Sequence, residues 1–295
     1  MISEFELIGL FNHIGSKYNE QNGIVLSPGD DCAVIDLSLP IVTSIDSSVC
    51  DIHFPHNAPA KDIGYRSVAV ALSDIAAMGC QPRGFSVSIT CSNKDVIWYQ
   101  ELAEGFNDIS NEFQISLIGG DITSGPLNIN VVVYGTPYNS NFLKRSGARK
   151  GDFICISKPI GRAKKGLEDF TKNNLESIFL NDYLRPKPQI ELGKKISDFA
   201  TSCIDISDGL LADLNHILRS SKVGANIFLD DIPITSNIND VNAGDDYDLC
   251  FTIPSTMMKD SFYKIGEVTE DLGIKFSSNK GYDVSIKGFD HFKNA

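Results

Sequence analysis

Aspartates at the ends of apolar segments constrain the fold of this chain more than any other feature. They occur in the segments PGDDCAV, SIDSSV, ALSDIAAMG, LIGGDITSG, CIDISDG and AGDDYDLCF. An isolated buried carboxylate is strongly destabilising, so carboxylates at the boundary of a core need cations or hydrogen-bond donors beside them. Hard divalent ions take oxygen ligands of this kind. The pattern therefore predicts a magnesium site that carries a phosphate substrate.

The net charge of the chain limits the kinds of molecule that it could bind. The chain has 295 residues and a formal net charge of -12. This length is enough for two domains or one large domain. The negative charge argues against non-specific binding to nucleic acid or to an anionic membrane surface. An anionic substrate would therefore need metal ions or local basic residues at its site.

Cysteine spacing and hydropathy indicate the compartment. The seven cysteines are scattered and include no CxxC pair, which predicts buried thiols rather than a zinc site or disulfides. The segment MISEFELIGLF has acidic residues where a signal peptide carries basic ones. No apolar stretch approaches the ~20 residues of a membrane span. We therefore expect a cytoplasmic protein.

Hydrophobic periodicity predicts alternating helices and strands in the first half. Helices are expected from Ser3 onward with a capping box, over 59–78 with Gly79 as its stop, and over 96–110. Strands are expected over 40–47, 84–90, 115–120 and 128–137, with the first one ending at Asp46 and Ser47.

The second half continues the mixed pattern after a polar, turn-rich stretch at 137–141. Strands are predicted over 152–159, 200–206, 225–232 and 248–254, and helices over 208–220 and 258–273, before a β-like tail. Interleaved strands and helices indicate an α/β or α+β fold. We expect two domains, residues 1–138 and 139–295.

Common nucleotide-binding signatures are absent from the sequence. It contains no GxxxxGK[ST] loop, no GxGxxG turn and none of the HRD and DFG motifs of protein kinases. The glycine-containing stretch 161–166 lacks the lysine and hydroxyl pair of a P-loop, and a surface turn is the preferred interpretation. Binding of ATP would therefore require another fold.

Three aspartates are the best candidates for function. Asp74 lies in a helix whose other side chains are small or apolar, so a functional role is favoured over an ion pair. Asp46 is expected at a strand end, and Asp205 lies within a strand where capping does not explain it. Ser207 and Asp208 could cap the following helix, which is worth about 1 kcal/mol. The N-terminus of that helix could instead donate N–H groups to a phosphate.

Other candidates have equally plausible structural explanations. Asp31 follows Pro28-Gly29 and could simply belong to a solvated turn. Gly120 permits close backbone approach to a ligand beside Asp121, but the same residues suit a tight turn.

Alternatives also remain open for the basic and histidine candidates. Arg145 could pair with a phosphate or lie on the surface. Asp245, beside Asp246 and Asp248, could belong to a solvated acidic turn. The pair His53 and His56 is weak as a metal motif.

Taken together, the ordered motifs resemble the thiamine-monophosphate kinase family, of the aminoimidazole-ribonucleotide-synthetase-like superfamily. They are GDDCAV, SIDSSV with a following HF, ALSDIAAMG, LIGGD, LKRSGARKGD, IDISDGL and GDDYDLCF, and they cover the chain essentially end to end. The resemblance implies ATP-dependent, in-line phosphorylation of thiamine monophosphate to thiamine diphosphate, the final step of thiamine diphosphate biosynthesis. It also implies a homodimer in which the N-terminal halves pair into a β-barrel, beside a C-terminal α/β half.

The resemblance further implies roles for individual residues. Several magnesium ions would be held by Asp31, Ser44, Asp46, Asp74, Asp121, Asp205 and Asp208. ATP would contact Gly120, Asp121, Arg145 and Ser207, and thiamine monophosphate would face His53, Asp245 and Phe289. No general base is expected, because the acceptor is already an anionic phosphate oxygen and metal ions supply the charge stabilisation.

The chain departs from the family pattern at several positions. Ile45 and Ile122 stand where the family usually has Thr, and Asp245 stands where it has Glu. The usual aromatic residue of the tail is Ile286, with Phe289 as a possible substitute. The loop 234–243 is shorter than usual.

Two competing functions remain at this stage. One is an ATP-dependent synthetase of the same superfamily, and the other is a non-catalytic metal-binding or regulatory module. The HF after SIDSSV and the KGFDHF tail favour the kinase over the synthetase.

Overall fold

The computed structural model describes residues 4–27, 32–92, 95–138, 141–282 and 284–289. The chain divides into two compact units, one formed by 1–75 and 80–140 and the other by 76–79 and 141–295. The boundary predicted from the sequence lies between residues 138 and 139, next to this division. The placement of 76–79 in the second unit was not predicted.

In the first unit the described residues form a four-stranded sheet and a small two-stranded ribbon. The helices are α1 (Glu4–Gly9), α2 (Ala60–Ala77) and α3 (Val96–Phe113), and the strands are β1 (Ile24–Leu26), β2 (Val34–Ile35), β3 (Val42–Val49), β4 (Cys80–Thr90), β5 (Ser116–Thr123) and β6 (Asn128–Pro137). The sheet order is β3-β6-β4-β5, and β1 pairs with β2. Strands β3 and β4 run antiparallel to β6, whereas β5 is parallel to β4.

Helices α2 and α3 approach each other closely through two glycines. A Cβ atom on Gly105 of α3 would lie 2.0 Å from the Lys61 carbonyl oxygen, and one on Gly64 of α2 would lie 2.3 Å from the Leu102 carbonyl oxygen. The ring of Phe106 then reaches the ring of Phe85 on β4, with 6.1 Å between centroids. Both helices therefore bury their apolar stripes, as the 3.6-residue period predicts.

Strands β3 and β5 are longer than the sequence indicates. Strand β3 continues through Asp46 to Val49, and β5 continues through Asp121 to Thr123. The predicted ends at Asp46 and after Gly120 are therefore wrong. Pairing along the full lengths of β6 and β4 satisfies the backbone groups of these polar residues.

In the second unit the described residues form a six-stranded sheet with helices. The helices are α4 (Arg162–Thr171), α5 (Leu180–Leu184), α6 (Ile190–Ile196) and α7 (Leu210–Ser221), and the strands are β7 (Phe153–Ile156), β8 (Ser202–Asp205), β9 (Gly224–Phe228), β10 (Leu249–Ile253), β11 (Tyr263–Thr269) and β12 (Gly273–Ser277). The sheet order is β12-β9-β11-β7-β10-β8. Helix α7 contributes Leu210, Leu214 and Ile217 to the main core of this unit.

The helix predicted over 258–273 is wrong. Residues 263–269 of that segment form β11, which pairs antiparallel with both β7 and β9. Its buried residues Ile265 and Val268 lie in the interior of the sheet, where two neighbouring strands satisfy the backbone. Gly273, with φ of 94°, then turns the chain into β12.

The stretch 161–166 is not a surface turn, so that interpretation is also wrong. Gly161 is the N-cap of α4, and the helix buries Ala163 and Gly166. The N–H groups of Gly161 and Ala163 donate to the Asp246 carboxylate at 2.7 and 3.1 Å. A tertiary partner distant in sequence therefore starts this helix.

None of the helices in the described ranges is both long and apolar enough to cross a membrane. The seven cysteines are free thiols. Cys32 is exposed, Cys50 is half-buried, and the buried ones are Cys80, Cys91, Cys155, Cys203 and Cys250.

Candidate active site

In the first unit, β3 and α2 bring three of the predicted metal ligands together. The Ser44 hydroxyl donates to Asp74 Oδ2 at 2.5 Å. Asp46 lies two residues further along β3, on the same face of the strand as Ser44. Burial, followed by the charge of Asp74, raises the pKa of Asp46 to about 6. Ser44, Asp46 and Asp74 therefore form one polar cluster, which we call the β3–α2 cluster.

The β3–α2 cluster fits part of a magnesium site. Asp46 Oδ2 is buried and has no hydrogen-bond partner. A bound cation would satisfy that oxygen, and the cluster offers only the oxygen ligands that magnesium prefers. In the described part of the chain, however, no three His, Cys, Asp or Glu side chains gather closely enough to hold a metal. Asp31, the remaining predicted ligand of this half, lies outside the described residues.

Asp121 lies on the other face of the sheet from Asp46. The strand registers align Asp46, Val131, Val87 and Gly120 across β3, β6, β4 and β5 in one row. Asp121 belongs to the next row, opposite Ser88, and side chains in successive rows point to opposite faces. Packing also requires glycine at position 120, since a Cβ atom there would lie 2.4 Å from the Val87 carbonyl oxygen.

His53 has one ring nitrogen fixed by the backbone. The Val49 N–H donates to His53 Nδ1 at 3.0 Å. In the neutral ring the proton therefore resides on Nε2, which becomes a hydrogen-bond donor. His56 does not join it, because His56 Nδ1 lies 3.1 Å from the exposed Asp51 carboxylate.

In the second unit, Asp205 ends β8 and leads into the loop 206–209. Asp205 is buried and pairs with Leu249 of β10. The loop holds Ser207 and Asp208, which are both half-buried. Three predicted contact residues, Asp205, Ser207 and Asp208, therefore lie within four positions just before α7.

The N–H groups of this loop are already occupied. Those of Ser207, Asp208 and Gly209 donate to Asp213 Oδ2 at 3.0, 3.0 and 3.1 Å. Gly209 is the N-cap of α7 and makes no side-chain cap. Capping of α7 by Ser207 or Asp208 is one alternative that the sequence leaves open, but the N-cap position is occupied by Gly209. While they donate to Asp213, the N–H groups of residues 207–209 are not available to a phosphate.

Asp213 was missed by the sequence reasoning. It lies four positions into α7 and is buried, and burial raises the pKa of its carboxyl to about 7 despite the N–H donors that lower it. The available signal was an aspartate within the apolar run LLADL, the same signal that identified Asp74.

A second loop, 243–247, runs beside the first. The Asp245 N–H donates to the Ser207 carbonyl oxygen at 2.9 Å, and the Tyr247 N–H donates to the Ile206 carbonyl oxygen at 2.8 Å. Tyr247 Oη also donates to Asp245 Oδ1 at 3.0 Å. Asp245 is therefore held next to the loop of Ser207, and Tyr247 is a partner that the sequence did not suggest.

The segment 285–289 lies against the same loops. The Phe289 N–H donates to the Asp208 carbonyl oxygen at 3.3 Å. Asn242 anchors the segment further, since its Nδ2 donates to the Ser285 carbonyl oxygen and its Oδ1 accepts from the Lys287 N–H, each at 3.0 Å. The structure thus brings Asp245 and Phe289 to the same loop as Asp208.

Asp246 and Asp248 do not form the solvated acidic turn that the sequence left open. Asp248 is buried and accepts hydrogen bonds from the Ser157 hydroxyl at 2.6 Å and from the Lys158 N–H at 2.9 Å. Burial raises the pKa of Asp248, and it raises that of Asp246 to about 7. Both carboxylates tie the loop 243–248 to the loop that precedes α4.

Arg145 lies at the other end of α7 from Ser207. It is exposed, and its carbonyl oxygen accepts a hydrogen bond from the Ser221 hydroxyl in the last turn of α7. Ser207 precedes the first turn, so the two backbones are separated by roughly the 18 Å length of a 12-residue helix. The structure does not bring the Arg145 backbone to the loop of Ser207.

The family model that matches the chain is AIR synthase related protein, N-terminal domain, over residues 29–136. Thiamine-monophosphate kinase from Buchnera aphidicola subsp. Schizaphis graminum is 37% identical, covering 98% of this chain and 99% of the relative. The chain belongs to the thiamine-monophosphate kinase family. The Escherichia coli K12 member of the family is 32% identical over 98% of both chains.

A solved thiamine-monophosphate kinase has the same fold. The crystal structure from Stenotrophomonas maltophilia superimposes with a TM-score of 0.83 at 30% identity, covering 90% of this chain and 95% of that one. A structure described as AaThiL complexed with AMPPCP and TMP gives a TM-score of 0.80 at 27% identity, covering 98% and 97%. The mixed α/β class predicted from the sequence is confirmed, and the resemblance to the thiamine-monophosphate kinase family is confirmed with it.

Proposed function

We propose that this chain transfers the γ-phosphoryl group of ATP to thiamine monophosphate, giving thiamine diphosphate. The observation that carries this proposal is the similarity to thiamine-monophosphate kinases over nearly the whole chain, one of which is 37% identical. The relative that holds AMPPCP and TMP supports ATP and thiamine monophosphate as the two substrates. The reaction would be the final step of thiamine diphosphate biosynthesis, in the cytoplasm.

The β3–α2 cluster is our proposed anchor for magnesium in the first unit. Its buried, unpartnered Asp46 oxygen supports this role. The other residues that the family resemblance assigns as metal ligands, and that we propose as ligands in this chain, are Asp31, Asp121, Asp205 and Asp208. Bound magnesium ions would neutralise the charge that the two phosphate substrates bring together.

The chemistry needs no strong general base from the chain. The attacking oxygen of thiamine monophosphate is already anionic, so direct in-line transfer depends on positioning and charge neutralisation. A cluster rich in aspartate and poor in histidine suits that requirement. Magnesium bound by these aspartates would also allow a chain with a net charge of -12 to accept two anionic substrates.

Thiamine monophosphate is proposed to contact three described residues. The ring of His53 carries its proton on Nε2 when it is neutral, because Nδ1 accepts from the Val49 N–H. Asp245 is fixed by Tyr247, and Phe289 lies half in solvent beside the Asp208 loop. Phe289 would supply the ring that Ile286 cannot.

ATP is proposed to contact Gly120, Asp121, Arg145 and Ser207. For Ser207 the contact would run through the hydroxyl, because its N–H is held by Asp213. Arg145 would act through its long side chain, since its backbone lies near the last turn of α7.

The open face of the four-stranded sheet supports a homodimer. Thr43, Ile45 and Ser47 of β3 are exposed on the face opposite Asp46, and Ile45 is 65% exposed. Pairing of this face with that of a second copy would close a β-barrel and cover Ile45. The first unit would then carry dimerisation together with metal and ATP binding.

The function is tested by incubating the purified chain with thiamine monophosphate, ATP and magnesium and quantifying thiamine diphosphate. We expect product only when all three are present. The variant Asp46→Asn should fold, because it removes a poorly solvated charge, yet its activity should fall by at least ~10-fold as metal affinity is lost. Asp95→Asn is the control, because Asn also caps a helix well and Asp95 caps α3.

Absence of product from well-folded wild type would refute the kinase proposal. ATP turnover that does not depend on thiamine monophosphate would instead favour a synthetase. If MgATP gives no thermal stabilisation, a non-catalytic metal-binding module becomes the better explanation.

A further inference from the structure

We infer that Asp213 is a positioning residue that makes the loop 207–209 a magnesium-binding loop rather than a phosphate-binding one. The inference rests on the proposed function, since it concerns how this chain presents Ser207 and Asp208. It assigns a role to a buried carboxylate that contributes no predicted ligand contact of its own.

The geometry is that of an anion enclosed by backbone donors. One oxygen, Asp213 Oδ2, accepts from three consecutive N–H groups within 3.0–3.1 Å. Successive N–H groups of this kind, at the start of a helix, form a concave site that ordinarily attracts a phosphate or another anion. Here the acceptor oxygen is supplied by the same chain, from the first turn of the same helix.

Because these N–H donors are occupied, the loop no longer favours a negatively charged ligand. With the three N–H groups occupied by Asp213, the side chains of the loop contribute only oxygen atoms, those of the Ser207 hydroxyl and the Asp208 carboxylate. The loop 207–209 then favours a cation over an anion. A phosphate could bind beside it only through a bridging cation.

Two neighbouring segments are attached to the loop that Asp213 holds. Two backbone hydrogen bonds, Asp245 N–H to Ser207 and Phe289 N–H to Asp208, attach the neighbouring segments to the loop. Any displacement of 207–209 would therefore move Asp245 and Phe289 as well. A carboxylate that holds this loop in place should influence magnesium affinity through Asp208.

A purely structural role would lower stability without altering metal affinity. The test therefore measures magnesium binding directly, by isothermal titration calorimetry of folded protein with ATP present and thiamine monophosphate omitted. The steady-state constants for both substrates are measured in parallel. The variants are Asp213→Asn, which keeps an oxygen acceptor in place, and Asp213→Ala, which removes it.

The matched control is Asp169→Asn. Asp169 is also a buried aspartate of the second unit, but its partners Lys165 and Ser177 belong to the α4–α5 region. This variant should lose stability while its magnesium affinity stays at the wild-type value.

We expect Asp213→Ala to weaken magnesium binding by about 10–100-fold, the range seen when a residue that supports a metal ligand is removed. Asp213→Asn should weaken it less, because an oxygen still accepts from the loop. Wild-type magnesium affinity in folded Asp213→Ala would overturn the inference. If Asp213→Ala does not fold, the test rests on Asp213→Asn. Wild-type magnesium affinity in Asp213→Asn would then overturn the inference equally.

Failure of the proposed function is distinguishable from failure of this inference. Wild type that makes no thiamine diphosphate refutes the kinase proposal. Wild type that makes the product, with Asp213 variants unchanged in magnesium binding, refutes only the role of Asp213.

Discussion

Tyr247 and Asp245 illustrate how single residues set the geometry of the second unit's loops. Both have positive φ, 47° for Tyr247 and 68° for Asp245, in a region that side chains rarely adopt. Backbone hydrogen bonds to Ile206 and Ser207 hold them there, and the side-chain bond between them orients the carboxylate. These hydrogen bonds offset the backbone strain and fix the direction of the Asp245 carboxylate.

Replacement of Tyr247 by Phe should reveal that orientation. The variant removes only the hydroxyl, so the hydrogen bond to Asp245, worth about 0.5–1.5 kcal/mol, is lost. We expect the KM for thiamine monophosphate to rise by roughly 2–10-fold, with the KM for ATP unchanged. Steady-state kinetics with each substrate varied separately measures this. Tyr282→Phe is the control, and an equal rise in both KM values would contradict the assignment of Asp245 to substrate.

At this scale the sequence located some residues and missed others for a physical reason. Asp74 could be found because a lone carboxylate in an apolar helix is costly without a partner. Asp213 follows the same logic, but its partners lie in the loop before the helix, which no helical period shows. Asp246 and Asp248 looked like a turn because their partners, near residues 157–163, are distant in sequence.

Helices α2 and α3 are in close contact where they cross at Gly64 and Gly105. Alanine at Gly105 would gain about 1 kcal/mol in helix propensity. That gain is outweighed by a Cβ placed 2.0 Å from the Lys61 carbonyl oxygen, because backbone cannot move away as a side chain can.

We therefore expect Gly105→Ala to lower the free energy of unfolding by about 1–3 kcal/mol, the usual range for overpacking. Urea denaturation measures the change. Gly9→Ala is the control, since no atom lies within 4 Å of a Cβ built there. Stability of Gly105→Ala equal to that of the control would mean that α2 and α3 can separate at little cost.

Whether a segment is a helix or a strand was predictable where its hydrophobic period agrees with its packing in the fold. Helices α2 and α3 and the strand β6 follow their periods closely. The segment 263–269 lies within the helix predicted over 258–273, whereas pairing with both β7 and β9 makes it a strand. Helix α4 was missed because its start depends on Asp246.

For the whole molecule, raised carboxyl pKa values imply a pH-dependent stability. The pKa of Asp46 is raised to about 6, and those of Asp213 and Asp246 to about 7, from an ordinary value of 3.8. Between these limits the folded state binds protons that the unfolded state has lost. The free energy of unfolding therefore falls as pH rises from about 4 to about 7, by up to ~1.4 kcal/mol per pH unit for each group.

Urea denaturation of metal-free protein at pH 5.5 and pH 8 tests this expectation. We expect the lower free energy of unfolding at pH 8. Asp246→Asn should flatten the dependence, because it removes one of the titrating groups while an oxygen still faces the N–H groups of Gly161 and Ala163. A slope of opposite sign in wild type, or an unchanged slope in the variant, would show that these carboxylates are ionised in the fold.

The distribution of thiols gives the two units separate internal reporters. Cys80 and Cys91 are buried in the first unit, and Cys155, Cys203 and Cys250 in the second. Burial raises the pKa of Cys80 to about 11 and that of Cys155 to about 12, which suppresses the reactive thiolate. The alkylation rate of each of these cysteines, measured by mass spectrometry of the peptides, would thus report how fast each unit unfolds. The measurement needs no dye or tag on the chain.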